Sequence, residues 1–279
     1  MSLYGRVFEE KAIFAIGEGR NGKSTFFNAL SGVLGTYSDG IDIQTLTTDR
    51  ANKGASLATL RGKRLIITGE LEQGARLSVS TLKRICSTDA VVAEEKYRMP
   101  FTFTPSHTLV MFSNYLPRIG STDSGTWRRI CVVPFNAVIP ANKSIQNFAD
   151  VLVEQAGPAI LQWAVEGAVN FVSNFFRLTI PDCVAEVTEQ YKEREDWLSN
   201  FISERCICEP NARVGASELY AEYREWAGNA GDYVRRLNDF NSAMEAAGYE
   251  KRAPKNRKTW YGLRINLGEK FGNAWAATV

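Results

Sequence analysis

Histidine is nearly missing from this chain: His107 is the only one in 279 residues. A lone imidazole argues against histidine-based acid–base chemistry. The five cysteines, Cys86, Cys131, Cys183, Cys206 and Cys208, form no CxxC pair. A zinc site is therefore not expected, and an odd number of scattered thiols suits a reducing cytosol. No run of about 18 apolar residues occurs, so no membrane-spanning segment is expected. The first residues lack a charged stretch followed by an apolar one, so no secretion signal is read and the expected location is cytoplasmic. Charge of one sign is also scarce: 33 Lys and Arg against 31 Asp and Glu leave +2. Any nucleic-acid contact must then come from local basic clusters. Internal repeats and low-complexity tracts are absent.

What is present is apolar content. At 44% hydrophobic residues, the chain can bury two cores. Apolar runs at 12–16, 65–68, 109–113 and 130–133 alternate with helical or looped stretches, which predicts an α/β sheet. The span 148–195 reads as helical, with Ile160, Trp163, Ala164 and Gly167 on one face and Pro181 at the first turn of a second helix. The first strand follows Met1-Ser2-Leu3 so closely that the chain reads as a piece of a longer protein. The expected divisions are 1–145, 146–195 and 196–279.

The sharpest local signal is Gly17-Glu18-Gly19-Arg20-Asn21-Gly22-Lys23-Ser24, a full match to G-x4-G-K-[ST]. An apolar strand runs into it, and a helix at 25–34, closed by Gly35, follows. Each residue type has a reason. The glycines let backbone N–H groups turn inward around phosphate oxygens, and the helix N-terminus adds partial positive charge. Lys23 is placed to reach the β- and γ-phosphates of ATP, and the Ser24 hydroxyl to bind Mg2+. An acid belongs at the end of a neighbouring strand. The run Arg64-Leu-Ile-Ile-Thr-Gly-Glu70-Leu-Glu72 offers Glu70 first and Glu72 second, for metal and attacking water.

Several motifs in one order resemble a known family. The phosphate loop, LIITGELEQG, LKRICSTDAVVAEEKYRMPFTFTPSHTLVMFSN and GTWRRICVVPF resemble the phage and plasmid primase-helicases of helicase superfamily 3, to which the poxvirus replication NTPase is related. The resemblance runs from about Tyr4 to the end of the chain. It implies a P-loop ATPase domain of the AAA+ type, working as a hexameric ring on single- and double-stranded DNA, with a primase domain on a missing N-terminal part and a phage, prophage or plasmid origin in a bacterial host. Gly17, Asn21, Gly22, Lys23, Ser24 and Thr25 match its nucleotide loop, with Gly19 inside it, and Glu70 its acid. Lys83 and Asp89 match the intervening motif, and Lys83 is carried over as a DNA contact. Glu94-Glu95-Lys96-Tyr97-Arg98 falls where the family places a loop that grips DNA, through Lys96 and Arg98 here. Asn114 matches the sensor at a strand end. Arg128-Arg129 matches the pair holding an arginine finger, with Arg129 favoured. The chain departs from the family at Cys86-Ser87-Thr88-Asp89, where Thr-Gly-Gly-Asp is usual, and in having no basic residue at Glu94.

Residues 196–279 carry their own pattern. Helices are expected from Trp197, at 217–226 with Leu219, Tyr220, Tyr223 and Trp226 on one face, and at 234–247. Two strands at 249–252 and 259–266 follow, joined by Pro254-Lys-Asn-Arg-Lys258. Three helices and a basic hairpin predict a winged helix-turn-helix. Arg235, Arg236, Lys255, Arg257 and Lys258, with Lys251 and Arg252, would meet DNA phosphates. The alternatives are a P-loop motor for another task, such as DNA packaging, and a non-hydrolysing module that binds an origin or a partner.

Overall fold

Five apolar residues, Ala12–Ile16, form strand β1, with Ala12, Phe14 and Ala15 fully buried. Burial on both faces is what a central strand of a parallel sheet requires. The computed structural model describes residues 1–47, 57–95, 97–120, 123–253 and 258–266. Lys96, Lys255 and Arg257 lie outside the described residues. The chain divides into two units, Met1–Glu195 and Asp196–Val279.

In the first unit β1 is followed by helix α1 (Lys23–Leu34), strand β2 (Ser38–Ile41), strand β3 (Leu65–Thr68) and helix α2 (Val79–Ile85). Strands β4 (Val91–Ala93) and β5 (Phe101–Phe103) pair as an antiparallel hairpin. Strand β6 (Thr108–Ser113), helix α3 (Ser124–Trp127), strand β7 (Ile130–Pro134), helix α4 (Phe148–Ser173) and helix α5 (Asp182–Glu195) complete it. The main sheet is all parallel, in the order β2-β3-β6-β1-β7. All five carboxyl ends therefore point one way. β1 sits where the order reverses, which is where open α/β sheets form their ligand crevices.

This order corrects one expectation. The strand carrying Glu70 does not neighbour β1; β6 lies between them. The register pairs Phe14 with Met111 and Ile67 with Val110, so β6 supplies the fully buried middle of the sheet. The sequence pattern also gave no sign of β2, whose Ser-Asp-Gly-Ile is hardly apolar. A short, polar strand suits an edge position, and there Asp39 pairs with Lys63 at 3.0 Å. Residues 146–195 belong to the first unit. Helix α4 lies along α1, and α5 along β7, where the Thr188 hydroxyl accepts from Val132 N at 3.0 Å and so satisfies an edge amide.

The second unit has helices α6 (Trp197–Arg205), α7 (Ala216–Asn229) and α8 (Leu237–Ala246). Strands β8 (Cys206–Gly215), β9 (Glu250–Arg252) and β10 (Thr259–Ile265) form an antiparallel sheet in the order β8-β10-β9. Its core is aromatic: Trp197, Phe201, Tyr223, Trp226, Phe240 and Trp260 pack together with Leu219 and Leu263. Arg235 and Arg236 lie before the third helix rather than opening it, with Arg236 at the N-cap. The Arg235 guanidinium instead stacks 4.2 Å from the centre of the Trp197 ring.

Candidate functional site

The glycine-rich turn between β1 and α1 is built by its contacts with the end of β7. A Cβ on Gly17 would come within 2.2 Å of the Phe135 carbonyl oxygen, so only glycine fits there. Gly22 adopts φ +82°, the left-handed region that glycine tolerates. Asn21 donates to Phe135 O at 3.0 Å, and Ile139 N donates to Arg20 O at 2.7 Å. The turn is thus tied to the segment after β7 at two points. Gly19 meets no such demand, since a Cβ there would touch nothing within 4 Å.

Lys23 lies in the first turn of α1 and is only 4% exposed. Its ammonium donates to Gly17 O, to Glu18 O at 3.3 Å, to Asn21 Oδ1 at 3.1 Å and to Asn114 Oδ1 at 3.2 Å. Desolvation lowers its pKa, and the nearby charge of Glu70 opposes that shift. Ser24 is exposed on the same turn and Thr25 half-buried. Two strand ends therefore meet at one ammonium, β1 with the turn and β6 with Asn114, within the field of Glu70 after β3. Glu70 and Glu72 are both exposed, but only Glu70 has a charge that Lys23 feels.

Sequence reasoning overlooked the residue that joins β3 to β6. Ser113 is fully buried, and its hydroxyl accepts from Leu71 N at 3.3 Å and Tyr115 N at 3.2 Å. It holds the turn carrying Glu70 against the turn carrying Asn114. A serine closing an apolar strand was the signal, but its partner is 42 residues away.

The arginine pair is split by burial. The Arg129 side chain is 9% exposed, donates to Gly125 O at 2.6 Å and pairs with Glu10. The Arg128 side chain is 65% exposed and donates to the same oxygen, Glu10 Oε2, at 2.6 Å. Arg129, the arginine favoured from the sequence as the finger, is the buried member of the pair. Arg129 is locked inside its own chain, and Arg128 faces solvent. Glu10, which organises both, carried no sequence signal.

Lys83 pairs with Asp123 at 2.6 Å, and Asp123 caps α3 through Thr126 N at 3.0 Å. Lys83 thus braces the arginine turn. Asp89 is held by Ser87 in a local turn. At the β4–β5 tip Arg98 pairs with Glu95 at 2.7 Å. The same tip exposes Tyr97 at 92% and Met99 at 85%, two residues that a search for charge passed over.

In the second unit several cations are already paired. Arg252 bonds Glu250 through two nitrogens, at 2.8 and 2.6 Å, and Arg264 bonds Glu209 likewise, at 3.2 and 3.1 Å. Lys251 sits over the Trp260 ring, and Lys258 is exposed. Helix α8 holds Asp239 and Glu245 but no Lys or Arg. Among the described residues no cluster of three or more His, Cys, Asp or Glu could hold a metal, and no helix is long and apolar enough to cross a membrane.

Residues 15–129 match the model of a family of unknown function, DUF5906. The chain is 28% identical over 247 residues to a protein named a "Putative helicase" from Acanthamoeba polyphaga mimivirus, covering 80% of this chain and 25% of that protein. It is 25% identical over 241 residues to another so named from Frog virus 3, covering 78% and 24%. It is 28% identical over 289 residues to a protein named a "Putative primase" from African swine fever virus, covering 95% and 30%. The chain thus spans about a quarter of the length of the first two. Among solved structures, the apo NrS-1 C-terminal region is similar with a TM-score of 0.48 and 13% identity, over 94% of this chain and 68% of that one. The chain is a homologue of viral proteins carrying helicase and primase names.

Proposed function

We propose that this homologue of viral helicases and primases is the ATP-hydrolysing motor of a replicative DNA helicase, working as a hexameric ring and followed by a winged-helix unit. One observation carries the reading: the Lys23 ammonium, behind the glycine-rich turn, is bonded both to that turn and to Asn114 at the end of the neighbouring parallel strand. In this reading the turn at 17–22 is a P-loop. Its N–H groups and the α1 N-terminus hold the phosphates. Lys23 exchanges its carbonyl partners for β/γ-phosphate oxygens and neutralises them. Asn114 orients the attacking water, and Glu70 takes its proton. Ser24 and Glu70 are hard oxygen donors of the type Mg2+ takes, few in number because that ion keeps several waters. When bound, Mg2+ would neutralise charge developing on the phosphate oxygens. Arg128, the more exposed of the pair, would leave Glu10 to enter a neighbouring subunit's site, where a planar, permanently charged fork suits two phosphate oxygens.

DNA would contact the β4–β5 tip, where Tyr97 offers a stacking face beside Lys96 and Arg98. For the second unit, phosphate contact falls to Lys258 with Lys255 and Arg257. The acidic character of α8 favours a second reading there, docking to a protein. The decisive experiment measures ATP hydrolysis with and without single-stranded DNA, strand displacement on a fork, and native mass with nucleotide. DNA-stimulated turnover, unwinding and a six-chain mass are expected. Hydrolysis without unwinding would point to a motor for another task, such as packaging. Binding without turnover would point to a non-hydrolysing module.

A further inference from the structure

Helix α4 is 26 residues long, yet only Gly157 and Phe171 are buried. One side is accounted for by α1. Val153 packs so closely there that a Cβ on Gly32 would come within 2.7 Å of its Cγ2. The Trp163 ring meets Phe26 edge-on, with centroids 6.0 Å apart, and Leu152 and Ile160 line the groove between the two helices. The opposite side has no such account. Leu161, Val165, Val169 and Val172 follow at spacings of four, four and three, which puts them on one face, on the far side of the axis from Val153 and Trp163. Each is 41–56% exposed, and Phe175, just past the helix, adds a further exposed apolar side chain. A helix that is apolar all round is covered on every side in its working form, and soluble single chains seldom leave so long an apolar stripe in water.

The stripe sets the chemistry of what covers it. Helix α4 carries Asp150, Glu154 and Glu166 and no Lys or Arg, so neither a nucleic-acid backbone nor an anionic lipid surface is attracted to it. Leu161, Val165, Ala168 and Val172 recur in steps of four and three, the seam spacing of paired helices. Charge is placed unevenly along the seam: Asp150 and Glu154 are exposed at its start, and Arg177 is exposed beyond its end. A second α4 laid antiparallel sets Leu161 against the partner's Val165 and brings the acidic start of each helix near the partner's Arg177. A parallel pair would instead set acid against acid. A standard interface takes about 600–1,000 Å2 from each partner, and the half-exposed side chains from Leu161 to Phe175 supply an area of that order.

We infer that the outer face of α4 binds a second copy of this chain through an antiparallel, two-fold helix pair. The contact uses the same patch on both copies and closes on itself, so it is separate from the head-to-tail contacts of a ring. It involves no group of the nucleotide site and forms without nucleotide.

The test is sedimentation of the nucleotide-free full chain across a concentration series. A contact of this size is expected to give a two-chain species with a Kd on the order of 1–100 μM. Val165→Glu, in the middle of the stripe, should weaken pairing at least about tenfold, because the pair would bury a charge without a partner. Its melting transition and nucleotide binding should match wild type. Asp150→Lys and Arg177→Asp should each weaken pairing severalfold, and the two together in one chain should restore it, since opposite signs then meet again at both ends. A wild-type chain that stays single throughout the series overturns the inference. So does a Val165→Glu chain that pairs as tightly as wild type, or a double charge variant no better than either single one. The charge variants sit on the solvent side of the helix, so they decide the matter even where Val165→Glu fails to fold.

Discussion

At the scale of single residues, burial and partners separate pairs that are identical by type. Glu70 and Glu72 both end an apolar strand, but only Glu70 is felt by Lys23. Glu70→Gln should still bind ATP and turn over at least a hundredfold more slowly, the order typical of losing a general base. Glu72→Gln should stay within a few-fold of wild type in a steady-state phosphate-release assay. Reversal of the two results would transfer the role to Glu72. Arg128 and Arg129 differ in the same way. Arg129→Ala removes one of the two hydrogen-bonded arginines on Glu10, which keeps Arg128, and should cost about 1–3 kcal/mol of stability, read by urea unfolding. Arg128→Ala should unfold as wild type does. His107 illustrates a titration with no catalytic part. Burial lowers its pKa from 6.5 to about 4. A histidine held neutral by the fold binds its proton more readily when unfolded. Its contribution is therefore whole above about pH 6.5 and declines as the pH falls towards 4. The acid loss assignable to it is about 3 kcal/mol. Unfolding of a folded His107→Gln protein should show a shallower decline across that window. An unchanged slope would remove His107 as its cause.

At the scale of elements, the site depends on how the ends of strands are fastened to one another. Ser113 is the clearest case, one hydroxyl accepting from the turns after both β3 and β6. Ser113→Ala leaves the buried amide of Leu71 and the partly buried amide of Tyr115 without that acceptor, at a cost of about 1–3 kcal/mol. Because those turns carry Glu70 and Asn114, hydrolysis should fall more than ATP affinity does. Equal loss of kcat and affinity would mean that Ser113 only stabilises the sheet. The same logic explains why α5 matters to a site it does not appear to belong to in sequence. Its end is bonded to the loop of residues 117–120. Helix α4 follows a different rule. It lies along α1 and lines an apolar groove with Phe26 and Leu30, but Trp163 remains 57% exposed.

At the scale of the whole molecule, the exposed Arg128 is a reason to test for an assembly. Subunits carrying Lys23→Ala and subunits carrying Arg128→Ala should each be nearly inactive, since arginine fingers contribute on the order of 10³–10⁵ in rate. Mixed together, they form some interfaces with an intact loop on one side and an intact arginine on the other. Recovered hydrolysis in co-assembled mixtures is the expected result. Full activity of Arg128→Ala alone would end the assignment.

The sequence by itself determined what is local. Eight consecutive residues, Gly17 to Ser24, contain the turn, the lysine and the hydroxyl, and the apolar runs of β1, β3, β6 and β7 announce their burial within a few positions. The helix after Pro181 and the aromatic face of α7 were legible for the same reason, since short-range periodicity encodes them. Tertiary structure alone decided the order of the strands, and with it the intervention of β6 between Glu70 and β1. It also decided which arginine faces outward, and that one apolar face of α4 is left exposed. Those outcomes rest on bonds across long stretches of chain: Asn21 to Phe135 spans 114 positions, and Arg129 to Glu10 spans 119. A residue's type sets what bonds it can make, but its burial and its partner are set by segments that meet only when the sheet is assembled.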